Sequence, residues 1–394
     1  MKLENPMQLN NKARRKLLKG ALGTGVLATG ATAFPGWMMP ALAQGEELVP
    51  FTDVPDTFQP REKRPGATYF QDTRNITSFY SRIEDQFYVV QHYGQPEIDV
   101  ANYKLKVTGM VNNPMELSLS QITNRDVFEM DLGWECGGNR AAIFNGLVGN
   151  GRFRGVTLRS LLEQAGIQDG AKEIVFFGSD IGTEEIRGRE VPSAFARGLS
   201  IEDAMRPENM LAFEMNGEPL PPIHGQPLRL IVPGWYGVAN VKWLNQIHVQ
   251  NTRYAGRFMG RDYVTLKREM VGGVERWVEN SVTMINMKSA IVRVTRNGPQ
   301  YHVQGFALTD GTALRAIEVK VDDGPWQAAE INPRSSKYSW KLFNFTWNNP
   351  SPGEHTIVSR AIDVNGKVQP TMEEFPEKVS NWENFAQFPR TVRI

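Results

Sequence analysis

The chain holds one cysteine in 394 residues. No internal disulfide can form, so the fold rests on its cores and the lone thiol calls for its own explanation. The five histidines are scattered, with no H-E-x-x-H and no C-x-x-C, which excludes the common zinc cages. No C-x-x-C-H stands in the sequence, and one thiol cannot hold an iron–sulfur cluster; neither haem nor cluster is expected. Long apolar runs are also missing: nothing after the N-terminus approaches the roughly 18 apolar residues of a spanning helix, so no stable membrane insertion is expected. Charge of one sign is missing too. The whole chain is +1 and residues 1–43 carry +5, which leaves −4 for the remainder. That balance gives no electrostatic reason to bind nucleic acid or anionic lipid.

What is present starts with an address. "ARRKLLK" (Ala13–Lys19) sets Arg14 beside Arg15, a weakly apolar, Gly-rich run follows, and "ALA" at Ala41–Ala43 supplies small residues before a cut ahead of Gln44. Basic region, apolar region and A-x-A site predict a signal peptide over 1–43, and the paired arginines favour the twin-arginine route to the periplasm. A membrane anchor competes, but the apolar run is too short and too Gly-rich to span.

The rest of the chain suggests two domains. Residues 46–75 are polar and proline-dotted and predict an extended surface segment. From Tyr103 to Gln250, short strand-like runs ("YKLKVTGMV", "EIVFFGS", "PLRLIVPG") alternate with loops. "TLRSLLEQAG" sets Leu158, Leu161, Leu162 and Ala165 on one helical face, with Thr157 as N-cap and Gly166 as stop. "SIEDAM" places Ser200 and Asp203 in capping-box spacing. After Ser281 the segments "AIVRVTRNG", "YHVQGFALTDG", "AIEVKVDDGPW" and "HTIVSRAIDVNG" end in Asn-Gly or Asp-Gly turns, or in the related "DDG", and predict an antiparallel β-sandwich. The expectation is an α+β, mostly β chain: signal 1–43, a catalytic domain 44–281, and an immunoglobulin-like β-sandwich 282–394.

The cysteine sits in "WECGGNR" (Trp134–Arg140). Cys136 reads three ways: an inert small hydrophobe, a nucleophile, or a metal ligand. Gly137 and Gly138 point to backbone pressed against something or bent through positive φ. With no second ligand in reach by spacing, a metal here would have to bring its own organic ligands.

"WECGGNR" resembles the cysteine motif of the sulfite oxidase family of molybdopterin enzymes. "FEMNGEPLPPIHGQPLRLIVPGWYGVANVKWL" (Phe213–Leu244) is similar to that family's longest signature. "FYVVQHYGQPEID" and "YSWKLFNFTW" fall in matching places, so the resemblance runs from Phe87 to the C-terminus. It implies a sulfite-oxidase-type molybdopterin-binding domain, then a dimerisation sandwich, and one Mo-molybdopterin per chain. It makes Cys136 the protein ligand of molybdenum, consistent with a soft thiolate. It assigns His92, Gln91, Asp180, His224, Arg229 and Lys242 to the pterin and its phosphate, where charge-assisted donors are needed. The two glycines would leave room for the pterin.

Departures from the family cluster at the substrate. Where arginines are expected stand Val90, Ala141 and Lys341, and the expected tyrosine is missing from "GSDIGTEEIRGREVP". Arg140, Arg187, Lys341 and Tyr236 are the candidates to line the reacting end, with Glu135 and Glu184 as proton-transfer candidates. Each lost arginine removes a bidentate oxyanion donor. The expectation is therefore a periplasmic molybdenum oxidoreductase acting on sulfite or a related sulfur compound, passing electrons to a separate carrier such as a c-type cytochrome. The alternatives are an S-oxide, a sulfur carried on a partner protein, or a non-catalytic exported β-rich binding protein. The family's second domain suggests a homodimer.

Overall fold

The computed structural model describes residues 42, 45–54, 58 and 67–394. The expected signal segment, residues 1–43, lies outside the described residues apart from Leu42, and so do Arg14, Arg15, Ala41 and Ala43. Among the described residues no helix is long and apolar enough to cross a membrane.

Strands dominate, as the alternating runs predict. One sheet of the first half runs Met115–Ser118, Lys104–Gly109, Leu244–Gln250, Glu173–Ile186, Arg189–Ser200. Its Lys104–Gly109 and Leu244–Gln250 strands are parallel and its other pairs antiparallel. In "KLKVTG" the alternation buries Leu105 and Val107 completely. A second sheet runs Arg229–Ile231, Met210–Met215, Val148–Thr157, Val127–Glu135, with Glu218–Pro219 added beside Met210–Met215. The helix Leu158–Ala165 buries Leu158, Leu161, Leu162 and Ala165, and Gly166 ends it at φ +67°. So short a helix is marginal alone; each buried leucine contributes roughly 1.5–3 kcal/mol and holds it in place. Thr157 occupies the N-cap position, but its hydroxyl donates to the Pro207 carbonyl instead of capping. Ser200 does cap its short helix: its Oγ accepts the Asp203 N–H at 3.0 Å.

The second half is a two-sheet sandwich. One sheet runs Glu47–Val49, Lys288–Asn297, Gln300–Leu308, Lys341–Asn348, Glu330–Ile331, and the other Gln327–Ala328, Leu314–Val321, Glu354–Asp363, Arg390–Arg393. Between them lie Val294, Val303, Ile317, Val319, Phe345 and Ile357. The outer face of the first sheet belongs to the other core: Ala290, Val292, Phe306, Leu308 and Leu342 pack with the catalytic half. Trp340, fully buried, marks the join. Its backbone N–H donates to Asn150 Oδ1 at 3.0 Å, and a Cβ on Gly133 would lie 2.6 Å from that nitrogen. Only glycine lets the strand that leads to Cys136 press so close.

Two features went unread in the sequence. The hairpin Val264–Val271 and Val274–Ser281 turns at Gly272–Gly273, both at positive φ, and pairs with Lys378–Val379. The segment expected to lie extended on the surface is partly core. Glu47–Val49 pairs antiparallel with Lys288–Asn297, Phe51 bridges to Val392, and Asp53 pairs with Arg390 at 3.2 Å. A three-residue strand carries too little periodicity to stand out from a polar stretch. Phe51→Ala should therefore destabilise the chain by about 3–5 kcal/mol, read as a fall in the urea midpoint; a change indistinguishable from zero would mean that this segment is not part of the sandwich core.

Candidate active site

The strand Val127–Glu135 ends by delivering Cys136. Its thiol is placed by main chain: the Cys136 N–H donates to the Leu147 carbonyl at 2.9 Å and the Asn139 N–H to the Cys136 carbonyl at 2.9 Å. Asn139 then locks the loop. Its Oδ1 accepts from Leu147 N–H at 3.0 Å, and its Nδ2 donates to Glu135 Oε2 at 2.8 Å and to the Asn145 carbonyl at 3.1 Å. Glu135 also accepts from Lys288 Nζ at 3.0 Å, a fully buried ion pair that reaches across from the sandwich. Such a pair specifies geometry more than it stabilises, and breaking it by removing one partner would strand a buried charge.

Gly137 and Gly138 are not among the residues at positive φ. They are pressed close to protein: a Cβ on Gly138 would lie 3.0 Å from the Trp382 ring, and one on Gly137 3.2 Å from Val282 Cγ1. The clearance expected for a pterin is in fact taken up by the chain's own side chains.

Cys136 opens onto a cleft lined also by Gln91, His92, Asp180, His224, Arg229 and Lys242. All seven residues that the sequence assigned to the cofactor thus meet in one place. The long signature folds to do this. His224 ends the short turn Pro222–His224, Arg229 opens the strand Arg229–Ile231, and Asn240 and Lys242 follow the turn Gly237–Ala239. Arg229 ties them together, donating to the His224 and Asn240 carbonyls at 3.0 Å each, with its guanidinium 5.4 Å from the Trp134 ring centroid. Burial lowers it to about 10, still cationic at neutral pH. Lys242 Nζ donates to the Ile223 carbonyl at 3.1 Å. Asp180 is aimed into the cleft where the register of Glu173–Ile186 against Arg189–Ser200 shifts between Phe177 and Ile181, a bulge re-aiming one side chain. Burial raises its carboxyl to about 6, against the nearby Lys242.

In this lining Asp180 Oδ1, Arg229 Nε and Asn240 Nδ2 are buried without a hydrogen-bond partner. Native structures rarely leave such groups unmatched. A polar group bearing donors, acceptors and negative charge would satisfy them. Among the described residues no cluster of three or more His, Cys, Asp or Glu could hold a metal, so a metal on Cys136 would need ligands from such a group. The residues fit a molybdenum–pterin cofactor: Cys136 for the metal, Asp180, Arg229, Asn240 and Lys242 for the pterin and its phosphate.

At the thiol stands a residue the sequence reading missed. The Tyr263 hydroxyl lies 2.9 Å from His92 Nε2, and the phenol lines the same cleft as Cys136. Burial pushes the thiol up to about 11 and the phenol well above its usual value, while burial, with Lys242 and Arg257 nearby, lowers His92 to about 4. At neutral pH the imidazole is uncharged and the phenol protonated. Tyr263 has φ +52°, uncommon for a bulky residue and a mark of local strain. The expected tyrosine was sought in "GSDIGTEEIRGREVP"; a phenol is supplied instead from "GRDYV", a stretch with no periodic signal of its own.

The four other candidates do not line the cleft. Arg140 is exposed and lines a separate recess with Ala141, Lys288 and Met372. Arg187 sits at the tip of the hairpin of Glu173–Ile186 and Arg189–Ser200, beside Glu184, Arg257 and Arg261. Lys341 is buried and spends its ammonium on the carbonyls of Ser336, Lys337 and Ser339; burial lowers it to about 8. Tyr236 is buried with its hydroxyl toward Asn286, although its neighbours Gly237 and Val238 do line the cleft. Both proton-transfer candidates are held in ion pairs. Glu135 is paired with Lys288, and Glu184 with Arg261 at 2.7 Å; burial alone would raise Glu184, but Tyr93 and Arg261 hold it below the usual carboxylate range.

Residues 92–258 match the oxidoreductase molybdopterin binding domain and residues 276–383 the Mo-co oxidoreductase dimerisation domain. Sulfite oxidase of Arabidopsis thaliana is 28% identical over 336 residues, covering 75% of this chain and 84% of that protein. Mitochondrial sulfite oxidase of Homo sapiens is 28% identical over 325 residues, covering 75% of this chain and 58% of that protein; the chain thus spans under two thirds of the mammalian enzymes' length. The crystal structure of the sulfane dehydrogenase SoxCD from Paracoccus pantotrophus superposes with a TM-score of 0.71 at 20% identity, covering 100% of both chains, a likeness of fold alone.

Asp180 gives this cleft a pH signature. Its folded carboxyl titrates near 6, above the roughly 3.9 of an unfolded chain. The folded state keeps a proton that the unfolded state loses, so this group costs stability as pH rises through that window. In cofactor-free protein Asp180→Asn should gain on wild type between about pH 4 and about pH 7, by roughly 2–3 kcal/mol in urea unfolding. The opposite shift of His92 is common to both proteins and cancels in the difference; equal pH profiles would show that Asp180 titrates normally.

Proposed function

We propose that this chain, which belongs to the sulfite oxidase family of molybdopterin-dependent oxidoreductases, is an exported dehydrogenase of sulfite or a related sulfur compound. The carrying observation is the one thiol of the chain opening onto a cleft whose buried Asp180, Arg229 and Asn240 each present an unmatched polar atom. When bound, the molybdenum–pterin group supplies a two-electron centre for oxygen-atom transfer. The chain's residues do the rest. Cys136 would hold the metal as its thiolate, and burial of the thiol favours that form only with a soft metal at hand. Tyr263, its phenol kept protonated by burial and placed beside His92, would donate a hydrogen bond to a group bound at the thiol end. Arg229 and Lys242 compensate the negative charge of the phosphate.

For the substrate, one observation favours the second reading beside sulfite. Among the described residues Arg229 is the one arginine lining the cleft, and it is committed to two carbonyls. Val90 and Ala141 stand where arginines were expected and Lys341 is saturated by carbonyls. A small, strongly hydrated dianion is poorly served there, which supports a less charged sulfur compound, an S-oxide or a sulfur carried on a partner protein. We further read residues 1–43 as a twin-arginine signal, the mature chain as periplasmic, and its electrons as leaving to a separate carrier such as a c-type cytochrome. The division at 44–281 and 282–394 and a homodimer through the second part are supported by the interval between the two matched families and by the dimerisation domain.

The purified periplasmic protein should carry about one molybdenum per chain, and Cys136→Ser should lose it. With an artificial electron acceptor, Val90→Arg, which adds a guanidinium to the cleft lining, should raise kcat/KM for sulfite by roughly fivefold or more, the worth of one charged hydrogen bond. Molybdenum without sulfite turnover in either protein selects the less charged substrate. No molybdenum after expression in a host that makes the cofactor would leave a non-catalytic binding protein.

A further inference from the structure

A strap from the C-terminal half, residues 378–384, crosses the cysteine loop. One ammonium shapes it: Lys378 Nζ donates to the carbonyl of Trp382, to that of Ser380 at 3.4 Å and to Asn384 Oδ1 at 3.1 Å. The strap is then stitched to the site. The Glu383 N–H donates to the Gly137 carbonyl at 2.8 Å, Asn384 Nδ2 reaches the Asn139 carbonyl at 3.5 Å, and Ser380 Oγ meets Thr265 Oγ1 at 3.3 Å. Asn286 Nδ2 donates to the Glu383 carboxylate at 3.1 Å. Glu383 itself takes φ +60°, a conformation costly for a residue with a Cβ and kept only where its surroundings enforce it.

This scaffold carries Trp382. Its ring stacks on Tyr263 with centroids 4.2 Å apart and planes at 18°, and it fills the space beside Gly138. The other rings around Tyr263 meet it obliquely: His92 at 5.6 Å and 74°, Phe258 at 6.4 Å and 56°. Trp382 alone among these offers Tyr263 a flat face. A phenol that must reach both a thiol and an imidazole from a strained backbone needs its ring plane fixed, and a stacked indole does that with few rotatable bonds to order.

We propose that Trp382 is a positioning residue for the Cys136 site: carried on the Lys378-organised strap, it clamps Tyr263 against the thiol and His92 and covers the side of the loop that the two glycines leave open. The clamp acts whatever the substrate, so it stands apart from the functional reading above.

The single cysteine makes the test direct. In full-length protein produced without cofactor, labelling by a neutral maleimide reports how often Cys136 is uncovered. Trp382→Ala should label at least about tenfold faster than wild type and Trp382→Phe within about twofold of it, as expected for a local opening. Lys378→Met, which keeps the indole but frees the strap, should fall between. In loaded enzyme Trp382→Ala should lower kcat more than it changes KM, with Trp382→Phe restoring it. Equal labelling of wild type and Trp382→Ala overturns the proposal, and so does a Trp382→Phe as fast as Trp382→Ala while both melt like wild type. If Trp382→Ala fails to fold, Lys378→Met decides: faster labelling at an unchanged melting temperature supports the clamp, and unchanged labelling overturns it.

Discussion

Everything at the site depends on how a buried thiol with no carboxylate or imidazole of its own is held still. The Asn139 side chain does most of it. One planar amide closes three contacts within a single loop, to Glu135, Asn145 and Leu147, and so fixes both the end of the strand before Cys136 and the chain that returns after it. The Glu135–Lys288 pair extends that constraint into the sandwich. With Trp340 seated against Gly133, the C-terminal half touches the strand leading to the thiol as well as the loop after it. A buried polar network of this kind is worth most when each member is satisfied; the Asn139 amide uses both its oxygen and its nitrogen, while Asn145 Oδ1 stays unmatched in the loop and the other unmatched atoms named above lie across the cleft.

Much of the architecture was legible because it rests on short-range pattern. The alternation in "YKLKVTG", the helical face Leu158–Leu161–Leu162–Ala165 and the strand-and-turn rhythm after Ser281 each follow from burying one face of a regular element. The long signature was legible as a unit for a different reason. His224, Arg229 and Lys242 lie within 19 positions of one another, and the hydrogen bonds that gather them are local. What could not be read was what long-range packing decides. Tyr263 and Trp382 lie far apart in sequence and meet face to face. Arg140 and Lys341 sit beside recognisable motifs, yet one turns outward and the other is consumed by carbonyls two to five residues back. Residue type gave the chemistry available; only the fold decided which groups were already spent.

The substrate end shows the same division. An arginine in sequence is a promise of charge, but the fully buried Arg197, bonded to the Phe258 and Val282 carbonyls, is scaffold, and Arg229, bonded to two carbonyls, keeps its Nε for whatever fills the cleft. Counting cations overstates the field that a small anion would meet here.

The Glu47–Phe51 segment carries a consequence for how the molecule comes into being. Val49 lies opposite Val294, and Phe51 bridges to Val392. This strand therefore finds its place only among strands that lie far later in the sequence. Domains elsewhere tend to fold from the N-terminus as they emerge; this sandwich cannot close until the strand that holds Val392 has been made. Contacts of such long sequence separation form slowly, so closing the sandwich is a late step in folding.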